Sequence, residues 1–247
     1  MLAPFDGGLA ESRARRTSIP PEPIALRGAT LSVVAVSIGV RRRLFEDLDL
    51  HVRPGAQVAV TGPAGAGKTS LLESIAGIRR VDAGSIRWNG VELSQLPHHQ
   101  RKDWRRRTLG CVFRSAGLFP DLDALRNVML PATFGGWGAS PAQRASAEEL
   151  LERAGVRGSA RTEELTPAER ARVAIVRALW PKPRAVLVDE PLAHLDPRAA
   201  ETTRRLLRQL CSEAEATLIV ATRNRDLAET FESTYVIRAE KLVRFVR

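Results

Sequence analysis

Two hydrophobic patterns follow one another along the chain and predict different kinds of sheet. Residues 30–40, TLSVVAVSIGV, and 44–52, LFEDLDLHV, alternate apolar and polar positions, as strands buried on one face do. The turn-forming segment PGAQ at 54–57 follows the second strand. From residue 58 onward, short apolar runs alternate with helical segments, which indicates parallel strands joined by crossover helices. We therefore expect an N-terminal antiparallel β flap followed by an α/β domain with a mainly parallel sheet.

The α/β part of the chain is predicted to contain a helical insertion. The runs LGCVF (109–113), AVLVD (185–189) and TLIVAT (217–222) have the length and composition of buried strands, whose carboxyl ends carry the ligand sites of α/β sheets. Residues 120–160 instead show only helical patterns, so they are predicted to form an all-helical insertion. The closing segment STYVIRAEKLVRFV, 233–246, predicts a β-hairpin.

The first 28 residues differ in composition from the rest of the chain. They are basic and rich in proline, and they lack the apolar stretch of a secretory signal, so we predict a disordered tail at 1–28 and a folded domain at 29–247. No apolar run approaches the roughly 18 to 20 residues that cross a bilayer, so no transmembrane segment is expected. Cys111 and Cys211 lie in apolar segments and are expected to be buried free thiols, which suits a reducing compartment.

The net charge of +10 is compatible with a nucleic-acid or anionic-membrane partner. Only four of the 38 basic residues are lysines, and the arginines are scattered through alanine-rich helices, so we attribute most of the charge to compositional bias. One dense cluster, RKDWRRR at 101–107, is either a solvated helix face or a contact for phosphate or lipid headgroups.

A phosphate-binding motif follows the first strand of the α/β part. The stretch GPAGAGKTS fits the pattern G-x-x-x-x-G-K-[ST], directly after an apolar strand and before the apolar helix SLLESIAGI. Its glycines let backbone N–H groups converge on phosphate oxygens at a helix N-terminus, while Lys68 reaches the β and γ phosphates and the Thr69 hydroxyl ligates Mg²⁺. The predicted nucleotide-binding residues are Gly62, Pro63, Ala64, Gly65, Ala66, Gly67, Lys68, Thr69 and Ser70.

The stretch AVLVDEP places two acids at the end of a buried strand. Asp189 is predicted to join Thr69 in holding the metal, because a carboxylate at a sheet edge can bind a metal-bound water. Glu190 is predicted to polarise the attacking water, which makes Glu190 and Lys68 the candidate catalytic residues.

With these motifs at this spacing, the chain resembles an ATP-binding cassette (ABC) ATPase, the nucleotide-binding subunit of a transporter. The resemblance covers roughly residues 30 to 247, and RRRTLGCVFRSAGLFPDLDALRNVMLP is most similar to the branch that drives lipoprotein-releasing and macrolide-export systems and the cell-division cassette. The stretch LAHLDPR matches the D-loop of the family through Leu195 and Asp196. The resemblance implies a P-loop NTPase core with a helical subdomain at about 115–180, and ATP and Mg²⁺ as cofactors.

The signature segment of the family is altered in this chain. In these enzymes two cassettes sandwich two ATP molecules, each bound by the P-loop of one subunit and the L-S-G-G-Q or L-S-G-G-E segment of the other. Here the segment is LTPAE, in which Pro167 has no N–H to donate and Ala168 adds a methyl group where a phosphate must approach the backbone. Thr166, Pro167 and Glu169 equally fit a capping box that begins a helix. We therefore expect a well-capped helix that binds phosphate weakly across the dimer, with Asp196 also at the dimer contact.

Three further positions of the nucleotide site depart from the family. The Q-loop glutamine is Arg114, the switch histidine is Arg223, and the aromatic that stacks on adenine would fall near Ile38 or Gly39, where none is present. Each arginine can bond a phosphate oxygen or pair with Glu190, and a paired carboxylate is a poorer base for water. The place of the missing histidine favours the phosphate for Arg223. We expect a ground-state clamp with turnover roughly 10² to 10³ below that of an intact cassette.

Three functions are compatible with these residues. The chain could be the ATP-binding subunit of a working ABC transporter, binding Mg-ATP through its two motifs and coupling it to a membrane permease, with reduced hydrolysis. It could be a hydrolysis-deficient regulatory or structural cassette that pairs with an intact ABC ATPase. It could, thirdly, be a nucleic-acid ATPase, which only the basic charge suggests.

The resemblance also implies partners and a location. We expect one or more membrane permease subunits, contacted through the helical subdomain, and a homodimer or a heterodimer with another cassette. No nucleic-acid partner is expected, because a repair cassette would need a coiled-coil or zinc insertion that 247 residues leave no room for. The expected location is cytoplasmic, peripheral at the inner face of the cell membrane.

Overall fold

Strands and helices succeed one another in the order that the apolar runs predict. The computed structural model describes residues 24–35, 40–114, 116–133 and 139–246. The strands within these residues are β1 (Ile24–Ala35), β2 (Val40–Val52), β3 (Gln57–Thr61), β4 (Ala83–Trp88), β5 (Val91–Glu92), β6 (Leu109–Val112), β7 (Ala185–Asp189), β8 (Thr217–Thr222), β9 (Ser233–Arg238) and β10 (Lys241–Val246). The helices are α1 (Lys68–Ile75), α2 (His98–Thr108), α3 (Ala124–Thr133), α4 (Pro141–Arg153), α5 (Pro167–Leu179), α6 (Pro197–Glu213) and α7 (Arg225–Glu229), with short 3₁₀ turns at Leu93–Gln95 and Thr162–Glu164.

The predicted antiparallel flap is a sheet with the strand order β2-β1-β4-β5, and its strands pair antiparallel. It begins earlier than the predicted domain boundary. Ile24 lies opposite Val52 and Trp88, and only 3% of its surface is exposed. Residues 24–28, predicted to belong to the tail, are therefore part of β1, whose first residue, Ile24, is buried. Residues 1–23 of the predicted tail lie outside the described residues.

The α/β part contains a sheet with the order β10-β9-β3-β8-β7-β6. All neighbouring pairs are parallel except the closing hairpin of β9 and β10, as the sequence predicts. In the register of the central strands, Thr61 lies opposite Thr222, and Asp189 opposite Ala221. The carboxyl ends of β3, β8 and β7 therefore meet at one edge, the edge at which the sequence places both phosphate-site motifs.

Three hydrophobic clusters hold these layers together. The first fills the space between the antiparallel sheet, α1 and one face of the parallel sheet. The second lies on the opposite face, under α5, α6 and α7. The third joins α3, α4 and α5 around Leu151 and Val176, both fully buried. The helices of the predicted subdomain thus pack on each other through a core of their own, and α5 belongs to both this core and the sheet.

The two cysteines are free thiols, as predicted. Burial raises the pKa of Cys111 to about 11 and that of Cys211 to about 12, so neither is a reactive thiolate near neutral pH. Within the part of the chain that the structure describes, no helix combines the length and apolarity that crossing a bilayer requires.

The contact of β6 with α5 leaves no room for a side chain at Gly110, since a Cβ there would lie 2.2 Å from the backbone oxygen of Ala178. We expect Gly110→Ala to lower the free energy of unfolding by about 2 kcal/mol or more, because the strand and helix must separate. Gly158→Ala is the control, since its Cβ would meet Leu125 Cβ at 3.5 Å and Leu151 Cδ1 at 3.8 Å, both ordinary contact distances. Urea unfolding of the two variants measures the difference, and equal stabilities would contradict it.

Candidate nucleotide site

The loop between β3 and α1 has the shape of a phosphate cradle. Gly65 and Gly67 adopt positive φ angles of 75° and 95°, and Gly67 is the N-cap of α1. A Cβ on Gly67 would lie 3.2 Å from Leu44 Cβ, so the close approach of the flap also favours glycine. No side chain caps the start of α1 within the described residues, so its first-turn N–H groups are free to bind an anion.

Lys68 lies inside this loop and is 7% exposed. Its Nζ donates to the carbonyl oxygens of Gly62 at 2.8 Å and Pro63 at 3.0 Å. Burial lowers the pKa of Lys68, and the charges of Glu190 and Asp189 oppose that effect. The ammonium is thus held by weak neutral acceptors, which a phosphate oxygen can replace.

Thr69 and Asp189 come together as a potential metal site. The Thr69 hydroxyl donates to Asp189 Oδ2 at 2.6 Å, whereas Asp189 Oδ1 is buried and has no hydrogen-bond partner. Burial raises the pKa of Asp189, and the bond from Thr69 partly offsets this. An unpartnered carboxylate oxygen beside a hydroxyl is a hard-oxygen pair of the kind that Mg²⁺ prefers, so these residues fit the ion.

Glu190 follows Asp189 in a strained conformation. Its φ is +50°, a left-handed angle that side-chain-bearing residues rarely adopt and that costs on the order of 1 kcal/mol or more. The Glu190 N–H donates to Ala221 O at 2.8 Å, which fixes the turn against the end of β8. The residue is 9% exposed, and the Thr222 hydroxyl donates weakly to Oε2 at 3.4 Å. The strained turn therefore presents a buried carboxylate at the sheet edge.

Arg223 contacts Glu190 instead of standing free for a phosphate. Its Nε donates to Glu190 Oε1 at 3.1 Å. Glu190 is a buried acid at the end of the adjacent strand, and the arginine beside it compensates its charge. The contact of Arg223 with a phosphate stays a prediction. The Arg223 side chain is nevertheless 49% exposed, so it has room to move.

Arg114 lies at the end of β6, exposed at the same edge. Its charge lowers the pKa of both Lys68 and Asp189, which places it within electrostatic reach of the phosphate loop. It also lines a cavity of about 180 Å³ with Glu190 and Pro167. Arg177 then ties the segment after Arg114 to α5, since its guanidinium donates to the Ala116 and Gly117 carbonyl oxygens, both at 2.6 Å.

The segment LTPAE forms the capping box that the sequence predicts. The Glu169 N–H donates to Thr166 Oγ1 at 3.3 Å, and the Thr166 N–H donates to Glu169 Oε2 at 2.8 Å. The Thr166 hydroxyl also donates to Oε2 at 2.7 Å, and these bonds lower the pKa of Glu169. Pro167 and Ala168 occupy the first turn of α5. The hydroxyl of Thr166 is thus committed to its own helix.

Asp196 caps α6 in a similar way, through Ala199 N–H at 2.9 Å from its Oδ1. The remaining loop residues lie where the motif predicts, with Pro63, Ala64 and Gly65 exposed and Ser70 in the first turn of α1. Ile38 and Gly39, named for the adenine position, lie outside the described residues.

Two residues of the site were not predicted. The Thr222 hydroxyl donates to Glu190 and accepts a hydrogen bond from the Asn224 N–H at 3.1 Å. Its position as a polar residue at the end of a buried strand was the feature of the sequence that could have identified it. Arg177 reads from the sequence as one more helix-surface arginine. Only the packing of α5 shows that it holds the segment following Arg114.

Comparison with known proteins tests the resemblance. The family model described as ABC transporter matches residues 45–193, more than half of the chain. The chain belongs to the ABC transporter family. The matched region of this ABC cassette runs from the flap strand β2 through the phosphate loop and Glu190 to the segment before Asp196.

Individual relatives and a solved structure are consistent with this family. The cassette is 38% identical to the lipoprotein-releasing system ATP-binding protein LolD 1 of Rhodospirillum rubrum, over 79% of this chain and 87% of that protein. It is 39% identical to LolD of Syntrophotalea carbinolica, over 77% and 85% of the two chains. A solved dimeric structure of the ATP-binding cassette MJ0796 in a post-hydrolysis state, bound to ADP and Pi, is similar with a TM-score of 0.80 and 27% identity, covering 90% of this chain and 98% of that one. This chain is accordingly the ATP-binding subunit of an ABC transporter.

The phosphate loop predicts the effect of removing its lysine. The intact cassette should bind Mg-ATP with micromolar to millimolar affinity, about −4 to −8 kcal/mol, and Lys68→Ala should weaken binding by at least about tenfold because a buried cation is lost. Lys241→Ala, an exposed lysine on β10, is the charge-matched control. Calorimetry that detects no ATP binding by the intact chain, or equal binding by Lys68→Ala, would contradict the assignment.

Proposed function

We propose that this cassette binds Mg-ATP in its own phosphate loop, couples it to a membrane permease and hydrolyses it slowly. The observation that carries the proposal is the ion pair between Arg223 and Glu190, 3.1 Å long, at the position of the general base. The intact loop and the Thr69–Asp189 pair support binding, whereas the ion pair opposes turnover.

Nucleotide binding requires the loop to exchange its internal partners. The first-turn N–H groups of α1 and the Lys68 ammonium would hold phosphate oxygens once Lys68 leaves the Gly62 and Pro63 carbonyls. Thr69 and Asp189 would hold Mg²⁺, which when bound neutralises charge on the phosphate oxygens. Each exchange replaces a neutral or hydroxyl partner by a charged one, which favours binding.

Hydrolysis requires Glu190 to accept a proton from water. With Arg223 donating to Oε1, one lone-pair direction of the carboxylate is occupied and is not available to a water molecule. The pair is half exposed on the arginine side, so solvent screens it and reduces its strength. Glu190 is therefore a hindered base, which retains some capacity to act.

The start of α5 supports weak capture of a second nucleotide across a dimer. Pro167 offers no N–H, and the Thr166 hydroxyl is already bonded to Glu169 at 2.7 Å. A phosphate approaching this helix end meets a methyl group at Ala168 and fewer free donors than a glycine pair would offer. Cross-dimer closure should therefore contribute less binding energy than in an intact cassette.

The relatives support the remaining parts of the proposal. They are named as ATP-binding proteins of lipoprotein-releasing systems, and the similar solved structures are titled dimers. We infer that this cassette likewise pairs with another cassette, or with itself, beneath permease subunits at the inner face of the cell membrane. The permease would choose the substrate, since the site described here holds only the nucleotide.

A regulatory cassette paired with an intact ABC ATPase is the second candidate. It is favoured by an asymmetry within this chain, because the phosphate loop fits its ligand while the start of α5 does not. In a heterodimer, an intact partner would complete the site on this chain, and this chain would complete the partner's site poorly. A nucleic-acid ATPase gains no support from the relatives.

Replacing both arginines should free Glu190, the proposed general base, from its ion pair. Arg223→His together with Arg114→Gln should raise ATP turnover by roughly 10²-fold, because a transition-state contact is restored, and should weaken ATP binding. A phosphate-release assay at saturating ATP measures the first effect and calorimetry the second. Arg225→Gln, an exposed arginine at the start of α7, removes one neighbouring charge as a control. If the double variant hydrolyses ATP more slowly, the arginines are catalytic replacements and the cassette is a working ATPase.

Restoring glycines at the start of α5 should strengthen dimerisation. Pro167→Gly with Ala168→Gly supplies a free N–H and removes a methyl group, so ATP-dependent association should tighten measurably in sedimentation. Pro141→Gly with Ala142→Gly is a matched control, because α4 begins with the same kind of capping box, formed by Ser140 and Gln143. Equal sedimentation of the two double variants would assign the weakness to Arg114 and Arg223 instead.

A further inference from the structure

Arg101 on α2 is a covered cation without a counter-charge. Only 5% of its surface is exposed, and its aliphatic stem packs on the end of α1, where a Cβ on Gly77 would lie 3.6 Å from Arg101 Cδ. Its Nε is buried with no hydrogen-bond partner, and the side chain forms no ion pair with any described residue. Buried arginines are normally paired, because removing a charge from water is costly.

The surroundings of Arg101 increase this imbalance. Arg80 and Arg105 lie close enough for their charges, together with burial, to lower the pKa of Arg101. Two acids on the same helices already have arginine partners: Glu73 on α1 accepts from Arg79 at 2.9 Å, and Asp103 on α2 pairs with Arg106 at 3.7 Å.

The backbone carbonyls at the carboxyl end of α1 carry a partial negative charge, and Arg105 contacts one of them. Arg105 Nη1 donates to Ala76 O at 3.3 Å, a weak bond. A helix end carries about half an elementary charge, which three guanidinium groups exceed. The cluster of Arg80, Arg101 and Arg105 therefore lacks an anion, and guanidinium groups match phosphate oxygens in geometry.

We propose that Arg80, Arg101 and Arg105 bind the phosphate of an anionic phospholipid headgroup and hold the cassette against the membrane. The cations continue along α2 as exposed Lys102, Arg106 and Arg107, so the surface extends beyond one phosphate. Ile78, a 43% exposed apolar side chain next to Arg79 and Arg80, is suited to the interface between headgroups and acyl chains. This inference rests on the proposed membrane location and not on hydrolysis.

Vesicle flotation with the full chain tests the proposal without a permease or nucleotide. Vesicles of phosphatidylcholine and phosphatidylglycerol in equal parts should bind the chain at low salt, and pure phosphatidylcholine vesicles should not. Arg101→Gln and Arg80→Gln should each lower the partition constant about fivefold, the weight of one arginine at such a surface. Arg205→Gln, which removes an exposed arginine from α6, should change it far less. Arg80 is exposed, so its variant keeps the test decisive if Arg101→Gln fails to fold.

Thermal unfolding separates this site from a purely structural arginine. Without lipid, Arg101→Gln should melt at the same temperature as the parent chain or higher, because an uncompensated charge is removed, whereas a structural role predicts a lower melting temperature. Inorganic phosphate at matched ionic strength is the second arm. Stabilisation by phosphate without vesicle binding would overturn the headgroup assignment, as would vesicle binding that is equal in all variants. ATP binding by the same variants should be unchanged, so failure here leaves the nucleotide site untouched.

Discussion

The register of three parallel strands determines most of what this cassette can do. Because β3, β8 and β7 align so that Thr61 faces Thr222 and Ala221 faces Asp189, their carboxyl ends meet at one edge. The phosphate loop follows β3, the acids Asp189 and Glu190 lie at the end of β7, and Thr222 and Arg223 lie at the end of β8. More than a hundred residues separate the loop from the two acids along the chain. A shift of one residue in a strand would turn its side chains to the opposite face, and the site would not assemble.

Three groups of the site that would have to rearrange for ATP binding or hydrolysis have hydrogen-bond partners within the chain. Lys68 donates to loop carbonyls, Thr69 to Asp189, and Arg223 to Glu190. Under the proposed function, nucleotide binding exchanges the first two of these contacts and hydrolysis loosens the third.

The start of α5 shows how a helix can be kept while its ligand-binding end changes. Thr166 and Glu169 satisfy the first donors of the helix internally, and Pro167 favours the helical backbone angle at that position. The same donors would serve a phosphate in an unaltered segment. The capping box that stabilises the start of α5 thus competes with the proposed binding of a phosphate from a second cassette.

Patterns local in the chain were sufficient to predict the α/β class, the flap, the phosphate loop, the acids and the capping box at Thr166. These features depend on a few neighbouring residues, through alternation, glycine content and cap chemistry. The first strand was placed too late because residues 24–28 precede the region of clear alternation, and the burial of Ile24 depends on its partners Val52 and Trp88.

The partners of the arginines were decided only by the tertiary structure. The sequence left Arg223 two partners, a phosphate or Glu190, and favoured the phosphate, whereas the structure places its Nε 3.1 Å from the buried Glu190 carboxylate. Arg177 and Arg101 look alike along the chain, yet Arg177 donates two hydrogen bonds to the segment after Arg114, whereas Arg101 is covered and its Nε has no partner among the described residues. An arginine is long and flexible, so what it binds depends on the elements packed around it, which no local pattern records.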